Sequence, residues 1–203
     1  MATGKSYLIN ALKDIASSFT IKINILDVDT IRRELLQHSI NAEDILFRKH
    51  LIDLLRLTTY GENYALNGKD LQREIFNDKE KYLLYTKEIG EKIRLKLLQK
   101  IETTSGILII ERALLVEDNF YEIPFDLVYY LICNQETIQS RLKGGGFTTP
   151  ELAERLKNFY NIDKIIHILE EKYKNSYRIL NTKKFPNKNL YKEIFNEIAL
   201  KND

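Results

Sequence analysis

Apolar side chains recur along the chain in two alternating patterns. Short runs rich in β-branched residues predict strands at 21–26, 107–110, 127–132 and 177–180. Longer stretches, with apolar residues three or four positions apart, predict helices at 5–18, 29–38, 42–58, 69–76, 79–103, 135–143, 149–159, 161–175 and 187–200. Strands that alternate with helices are typical of an α/β protein with a doubly wound parallel sheet flanked by helices.

The helical block between the first two predicted strands suggests how the chain is organised. Residues 39–104 are almost wholly helical, which is too long for a simple crossover between two strands. We therefore expect an inserted or extended helical subdomain at 39–104. A second region, 141–160, contains three consecutive glycines and is typical of a lid. A chain of 203 residues with 44% apolar residues can bury one core, so both regions are expected within a single domain spanning 1–203.

Composition excludes several classes of function. The formal net charge is only +2, and both signs are interspersed along most predicted helices, so we expect no nucleic-acid partner. No segment approaches eighteen consecutive apolar residues, which argues against a membrane span. Cys133 is the only cysteine, so an intramolecular disulfide is impossible. These features predict a cytoplasmic protein.

The N-terminal residues resemble the second half of a phosphate-binding loop. Thr3, Gly4, Lys5 and Ser6 match the end of the pattern G-x-x-x-x-G-K-[ST], whose first glycine would fall ahead of Met1. We therefore expect the first strand of such a fold to be missing from this sequence. In this loop, backbone N–H groups bind phosphates, the lysine reaches the β- and γ-phosphates, and the serine hydroxyl binds Mg²⁺.

Two carboxylates follow the first predicted strand. Asp27 and Asp29 lie where the chain turns from a strand into a helix, and ligands of α/β proteins bind beyond the carboxyl ends of the strands. Asp29 is expected to accept the proton of a substrate hydroxyl that attacks a γ-phosphate, while Asp27 helps to order Mg²⁺. The alternative is that Asp29 serves only as the N-cap of the next helix.

Charged residues also follow the later strands and precede the glycine run. Glu111 is expected to touch the metal's water shell or the acceptor, and Arg112 to hold a phosphate, although a plain surface pair would explain them too. Arg141 and Lys143 directly precede the glycines and are candidate cations for the transferring phosphoryl group. The alternative for this segment is a helix connection without a catalytic role.

The order of several motifs resembles the dephospho-coenzyme A kinase family. The motifs are G-K-S, I-L-D-V-D-T-I-R-R-E, L-Q-R-E-I-F-N-D-K-E, A-L-L-V-E, D-L-V-Y-Y-L-I-C-N-Q-E-T-I-Q-S-R-L, and a late strand that ends in an asparagine. No single motif is decisive, but together they cover almost the whole chain. The resemblance implies a P-loop kinase core with a CoA-binding helical domain and a lid. It also implies ATP-dependent phosphorylation of the ribose 3′-hydroxyl of dephospho-CoA, with Mg²⁺.

The residue patterns and the resemblance together assign residues to roles. The resemblance makes 39–104 the substrate-binding subdomain and covers, by position, Lys5, Ser6, Asp29, Glu117, Arg141 and Asn181, while the patterns along the chain supply the others. The catalytic set is Asp29, Lys5, Arg141 and Lys143. The nucleotide-binding set is Thr3, Gly4, Lys5, Ser6 and Asn181, with Ser6 as the metal ligand. The substrate-binding set is Asp27, Arg33, Lys69, Glu111, Arg112 and Glu117.

Two departures from the family pattern leave other functions open. Gly145 stands where the family has a lid arginine, and Gly68 stands where it has a second arginine, with Lys69 adjacent. Loss of a lid cation removes charge stabilisation of a kind worth roughly 10³-fold or more in rate. Two alternatives therefore remain: a kinase for another nucleotide-like or small-molecule hydroxyl, and a non-catalytic nucleotide-binding or interaction protein.

Overall fold

The computed structural model describes residues 3–75, 78–112, 123–144 and 162–201, and it shows an α/β protein dominated by helices. The helices are α1 (Lys5–Ser18), α2 (Val28–Arg33), α3 (Ala42–Leu55), α4 (Gly68–Ile75), α5 (Lys79–Thr103), α6 (Gln135–Gly144), α7 (Ile162–Tyr173) and α8 (Lys188–Ala199). The strands are β1 (Ile23–Asp27), β2 (Ile107–Glu111), β3 (Val128–Ile132) and β4 (Tyr177–Asn181). A π-helical turn, Glu34–His38, follows α2, and short 3₁₀ turns span Glu62–Tyr64, Lys174–Ser176 and Thr182–Lys184.

Side-chain caps fix where many of these helices begin. Four helices follow an Asp or Asn whose side chain accepts a backbone N–H of the first turn. These caps are Asp27 for α2, Asn41 for α3, Asp78 for α5 and Asn187 for α8. α3 ends three residues before its predicted limit because Arg56 adopts a left-handed conformation with φ of 50°. The predicted helix 149–159 and most of the predicted lid lie outside the described residues.

The strands form two small sheets within the described residues, where the sequence suggested one. β3 and β4 pair in parallel, in a register that runs from Val128 opposite Tyr177 to Ile132 opposite Asn181. β1 pairs with β2 in a second two-stranded sheet. Of the fully buried apolar side chains described, only Ile107 and Val128 come from strands, because most strand residues are half-exposed. Helices therefore supply most of the core.

The chain divides into two compact units. Among the described residues, unit 1 comprises 3–24, 105–107, 123–144 and 162–201, and unit 2 comprises 25–75, 78–104 and 108–112. In the described ranges, no helix is long and apolar enough to cross a membrane.

The core of unit 1 joins the two ends of the sequence. α1 packs against α8, with Leu8 and Leu12 buried on one helix and Ile194 and Phe195 on the other. Phe19, which ends α1, stacks on Phe195 with ring centroids 5.7 Å apart. A second cluster packs α7 against the β3–β4 sheet and contains Val128, Ile165, Leu169 and Tyr173. These contacts fix the N-terminus of α1 within unit 1.

Unit 2 is a helical layer with charged side chains in its core. α3 and α4 both pack against the long helix α5, and Leu51, Ile93 and Leu97 are buried between them. Asp44 is 3% exposed, and it accepts hydrogen bonds from Lys96 Nζ at 2.9 Å and from Ser39 Oγ at 2.7 Å. Burial alone would raise the pKa of the Asp44 carboxyl, but these hydrogen bonds outweigh it and hold the pKa below its ordinary value.

Candidate functional site

The N-terminus of α1 is built differently from those of the capped helices. Gly4 occupies the N-cap position with φ of 93°, a left-handed conformation that favours glycine, and Lys5 is the first helical residue. Because Gly4 has no side chain, it cannot cap the N–H groups of the first turn as an aspartate or asparagine would. Thr3 and Lys5 are half-buried and Ser6 is exposed. The helix therefore presents backbone N–H groups, a positive dipole end and a lysine at one place, which is an arrangement suited to an anion.

Arg141 of α6 lies next to this helix N-terminus. A Cβ atom placed on Gly4 would lie 3.6 Å from Arg141 Nη1 and 3.2 Å from Phe185 Cδ2. The guanidinium donates from Nη1 to Thr182 Oγ1 at 3.2 Å and from Nη2 to the Thr182 carbonyl at 2.8 Å. Thr182 is fully buried, so it forms a fixed anchor. Unit 1 thus brings two predicted site residues, Gly4 and Arg141, into contact range.

An aromatic pair, Phe185 and Tyr191, lies beside Gly4 in unit 1. Phe185 packs edge-on against Tyr191 of α8, with ring centroids 5.2 Å apart. Asn181, the predicted adenine-side residue, is exposed at the end of β4, and its Oδ1 accepts the backbone N–H of Lys183 at 3.0 Å. Asn181 therefore begins the 3₁₀ turn that carries Thr182, and its carboxamide N–H₂ group is the part left for a ligand.

In unit 2, the two carboxylates that follow β1 have different surroundings. Asp27 Oδ1 accepts the backbone N–H of Asp29 at 2.9 Å, and its Oδ2 accepts the hydroxyl of Thr30 at 2.8 Å. Asp27 is therefore the N-cap of α2, so the alternative that assigns this cap to Asp29 is wrong. The Asp29 side chain is 46% exposed and lies 3.7 Å from Arg32, a loose surface pair. One carboxylate thus braces the helix, and the other remains available for chemistry.

The other predicted site residues of unit 2 lie at the ends of its elements. Arg33 is exposed at the end of α2, and Lys69 is exposed in the first turn of α4. Glu111 is the half-buried last residue of β2, and Arg112 follows with Nε and Nη1 buried. The Arg112 guanidinium is thus partly shielded from solvent, and both the site role and the surface pair stay open for these two residues.

Two predicted residues fall outside what the structure describes. Glu117 and the side chain of Lys143 lie outside the described residues. The remaining predicted residues are divided between the two units: Thr3 to Ser6, Arg141 and Asn181 belong to unit 1, and Asp27, Asp29, Arg33, Lys69, Glu111 and Arg112 belong to unit 2. Their roles stay predictions.

Thr182 and Phe185 were not identified from the sequence. The available signal was weak: both follow the carboxyl end of β4, where ligands of parallel sheets bind. A threonine and a phenylalanine in a short connection are common, and only the tertiary contacts to Arg141 and Gly4 distinguish these two.

Comparisons with known proteins bear on the fold. No model of a protein family matches the chain, and no curated protein matches it in sequence. Among solved structures, the chain is similar to the crystal structure of TT1252 from Thermus thermophilus, with a TM-score of 0.68 and 16% sequence identity. The match covers 98% of this chain and 93% of TT1252. The likeness extends over nearly the full chain and supports an α/β fold with small parallel sheets.

Proposed function

We propose that this protein is an ATP-dependent kinase that phosphorylates the ribose 3′-hydroxyl of dephospho-CoA. The observation that carries the proposal is the position of the Arg141 guanidinium beside the uncapped N-terminus of α1, 3.6 Å from where a Cβ atom on Gly4 would lie. Phosphoryl transfer needs little covalent help from a protein and depends on positioning and on positive charge near the phosphates. A helix N-terminus, a lysine and an anchored arginine supply these requirements together.

The nucleotide phosphates would bind at the start of α1. The backbone N–H groups after Gly4 lie at the N-terminus of α1, Lys5 is the first residue of the helix, and Arg141 adds a second cation. Mg²⁺ would be held by the phosphates and by the exposed hydroxyl of Ser6. Mg²⁺ keeps several waters and binds mainly through substrate phosphates, so one protein hydroxyl is enough for this arrangement.

The acceptor side of the proposal rests on Asp29 and on the order of motifs. Because Asp27 uses both oxygens to cap α2, the half-exposed carboxylate of Asp29 is the one available as a proton acceptor. The choice of dephospho-CoA as acceptor rests on the resemblance of the motif order to dephospho-CoA kinases. That choice needs a direct test.

The test is transfer of the γ-phosphate of ATP to dephospho-CoA in the presence of Mg²⁺, measured by separating labelled CoA. CoA itself is the matched negative acceptor, because its 3′-hydroxyl already carries a phosphate. Lys5→Ala should abolish transfer and nucleotide binding, whereas Lys13→Ala, an exposed lysine further along α1, should leave both unchanged. Equal activity of the two variants would overturn the role of α1.

Assays with adenosine or AMP as the acceptor, and a binding assay with ATP and no acceptor, distinguish the two alternative functions. Transfer to adenosine or AMP but not to dephospho-CoA would identify a kinase with another acceptor. Saturable ATP binding without transfer to any acceptor would identify a non-catalytic nucleotide-binding protein.

A further inference from the structure

Unit 2 contains a groove far along the chain from the residues placed at α1. Its volume is about 390 Å³, which lies in the range of small-molecule sites. The lining residues come from the π-helical turn, from the loop between α3 and α4, and from α4: Gln37, Thr59, Tyr60, Gly61, Ala65, Asn67 and Asp70. All of them lie within unit 2, so the groove is a feature of that unit alone.

The backbone around the groove adopts conformations that ordinary residues avoid. Asn63 and Tyr64 are consecutive non-glycine residues with φ of 51° and 59°. Gln37 projects from a π-helical turn, in which Ser39 N–H donates to the Glu34 carbonyl at 2.8 Å. Left-handed non-glycine residues and π-helical turns are enriched at functional sites, and they persist only where the surrounding structure holds them.

The buried residue Arg48 holds the backbone around the groove through hydrogen bonds. Its side chain is 1% exposed, and it donates to three main-chain carbonyls: Nε to Asn63 at 3.1 Å, Nη1 to Leu35 at 2.8 Å and Nη2 to Ser39 at 2.8 Å. One guanidinium therefore connects the π-helical turn to the loop between α3 and α4. The planar fork of an arginine can do this, whereas a lysine ammonium cannot hold three separated acceptors in the same geometry.

Glu74 of α4 holds the first part of the same loop. Its two carboxylate oxygens accept the backbone N–H groups of Thr58 at 2.9 Å and Thr59 at 3.0 Å. The loop is thus held at Thr58 and Thr59 by Glu74 and again at Asn63 by Arg48. Its walls are rigid before any ligand arrives, which lowers the cost of binding.

The side chains on the walls determine which chemistry fits. Gln37 and Asn67 carry carboxamides, Thr59 carries a hydroxyl, and Tyr60 offers a ring that is 51% exposed. Among the described lining residues Asp70 alone is charged, and its Oδ1 lies 3.8 Å from Nη1 of Arg73, a residue outside the lining whose side chain is 82% exposed. Because this ion pair is loose and largely in solvent, the carboxylate still disfavours an anion such as phosphate or a second carboxylate. An uncharged amide would find a donor and an acceptor on Gln37 and a donor on Asn67, whose Oδ1 already accepts the backbone N–H of Lys69 at 2.9 Å.

We propose that this groove binds a planar, uncharged molecule that carries a carboxamide, with the ring against Tyr60 and the amide between Gln37 and Asn67, and that Asp70 rejects anionic analogues. This proposal rests on contacts within unit 2 alone and does not require the proposed phosphotransfer. It would operate equally in an active kinase or in a non-catalytic protein.

The matched probes are nicotinamide and nicotinate. They share the same ring, but nicotinamide carries a neutral carboxamide where nicotinate carries a negatively charged carboxylate. Titration of the ¹⁵N-labelled full chain should shift the amide signals of Thr59, Tyr60 and Gly61 with nicotinamide, with a Kd of roughly 1 mM for a ligand of this size. Nicotinate should bind at least about fivefold more weakly because of the like charge on Asp70. Absence of shifts at these amides, or equal binding of the two probes, would overturn the proposal.

Asp70→Asn tests the source of the discrimination. It should bring nicotinate to within about twofold of nicotinamide, since the repulsion is removed while the shape is kept. Asp53→Asn, an exposed acid of α3 outside the groove, should keep the wild-type preference. If Asp70→Asn folds and retains the full preference, the proposed role of Asp70 is wrong. If it fails to fold, the wild-type comparison of the two probes still decides whether the groove binds uncharged amides.

Discussion

Arg141 binds both the side chain and the main chain of Thr182, a residue 41 positions later in the sequence. The two bonds use different guanidinium nitrogens, so they fix the plane of the guanidinium as well as its position. Thr182 is fully buried and follows β4 directly, so the arginine is anchored to the sheet of unit 1. This anchoring is what places a cation beside Gly4.

The first prediction concerns Thr182 as the positioning residue for Arg141. Thr182→Val keeps the side-chain shape but removes the bond to Nη1, and we expect ATP affinity to fall by about 3- to 10-fold, the value of one hydrogen bond. Thr182→Ser retains the hydroxyl and should bind ATP like the wild type. Isothermal titration with MgATP measures both.

A double-mutant cycle separates this positioning role from a general effect on the fold. Arg141→Ala should lower ATP affinity further than Thr182→Val does. Adding Thr182→Val to Arg141→Ala should change the affinity little, because the two residues act through the same contact. If the two losses add in full, Thr182 does not act through Arg141.

The second prediction assigns separate roles to Asp27 and Asp29. Asp29→Asn should lower kcat for the proposed transfer by roughly 10²- to 10⁴-fold, the range for loss of a general base, with little change in nucleotide affinity. Asp27→Ala removes the cap of α2 and should reduce the free energy of unfolding by about 1 kcal/mol. Asp27→Asn, which can still cap, should be close to wild type in stability.

Steady-state kinetics and urea unfolding on the same three variants provide the check. The result that contradicts this division is an active Asp29→Asn enzyme, or an Asp27→Ala variant as stable as the wild type.

The third prediction uses two glycines of different conformation. Gly4→Ala introduces a side chain at φ of 93° and 3.2 Å from Phe185, so we expect a loss of about 1–2 kcal/mol in unfolding free energy. Gly90→Ala is the matched control, since Gly90 lies in α5 with nothing within 4 Å of the added Cβ, and it should stabilise the protein by about 0.5–1 kcal/mol. Thermal unfolding of the two variants should therefore shift in opposite directions. A shift in the same direction would show that Gly4 is not held in its left-handed conformation.

The sequence predicted the regular elements well because local pattern determines them. The helices expected at 5–18 and 79–103 are found as Lys5–Ser18 and Lys79–Thr103. In both helices, the spacing of apolar residues and the N-cap residue indicate the same starting point. The N-cap is a glycine before the first helix and an aspartate before the second. The number of sheets was not predictable, because strand pairing depends on contacts between distant segments.

The features that build the candidate sites depend on long-range contacts, and the sequence did not indicate them. The π-helical turn at Glu34–His38 persists because Arg48 and the backbone N–H of Leu66 bind its carbonyls. Charged residues such as Arg48 are normally expected at the surface of an amphipathic helix, and only the three carbonyl acceptors explain its burial. In the same way, Arg141 was predicted as a candidate from its position before the glycine run, but its anchor was not.

The fourth prediction concerns Arg48 as the support of unit 2. Arg48→Met keeps the apolar stem but leaves the buried Leu35 carbonyl and two part-buried carbonyls without their donor, so we expect a loss of about 3–5 kcal/mol in unfolding free energy. Arg73→Met is the control, because the Arg73 side chain is 82% exposed and its removal should cost less than about 0.5 kcal/mol. Urea unfolding measures both variants. A cost below about 1 kcal/mol for Arg48→Met would mean that water or other donors satisfy these carbonyls.

The last prediction is the pH dependence of stability due to Glu74. The backbone N–H of Thr58, together with that of Thr59, holds the pKa of the Glu74 carboxyl below its ordinary value, against the opposing effect of burial. A carboxyl whose pKa is lower in the folded state contributes stability that is fully present above its unfolded pKa, near 4.5, and is lost as the pH falls through its folded pKa. The wild type should therefore lose unfolding free energy more steeply than Glu74→Gln below about pH 4.5, and the two curves should run parallel above about pH 6. Glu102→Gln, an exposed residue of the last turn of α5, should follow the wild-type slope throughout. Chemical unfolding across this range gives the three slopes, and identical slopes for wild type and Glu74→Gln would show that the Thr58–Thr59 backbone does not bind the carboxylate in solution.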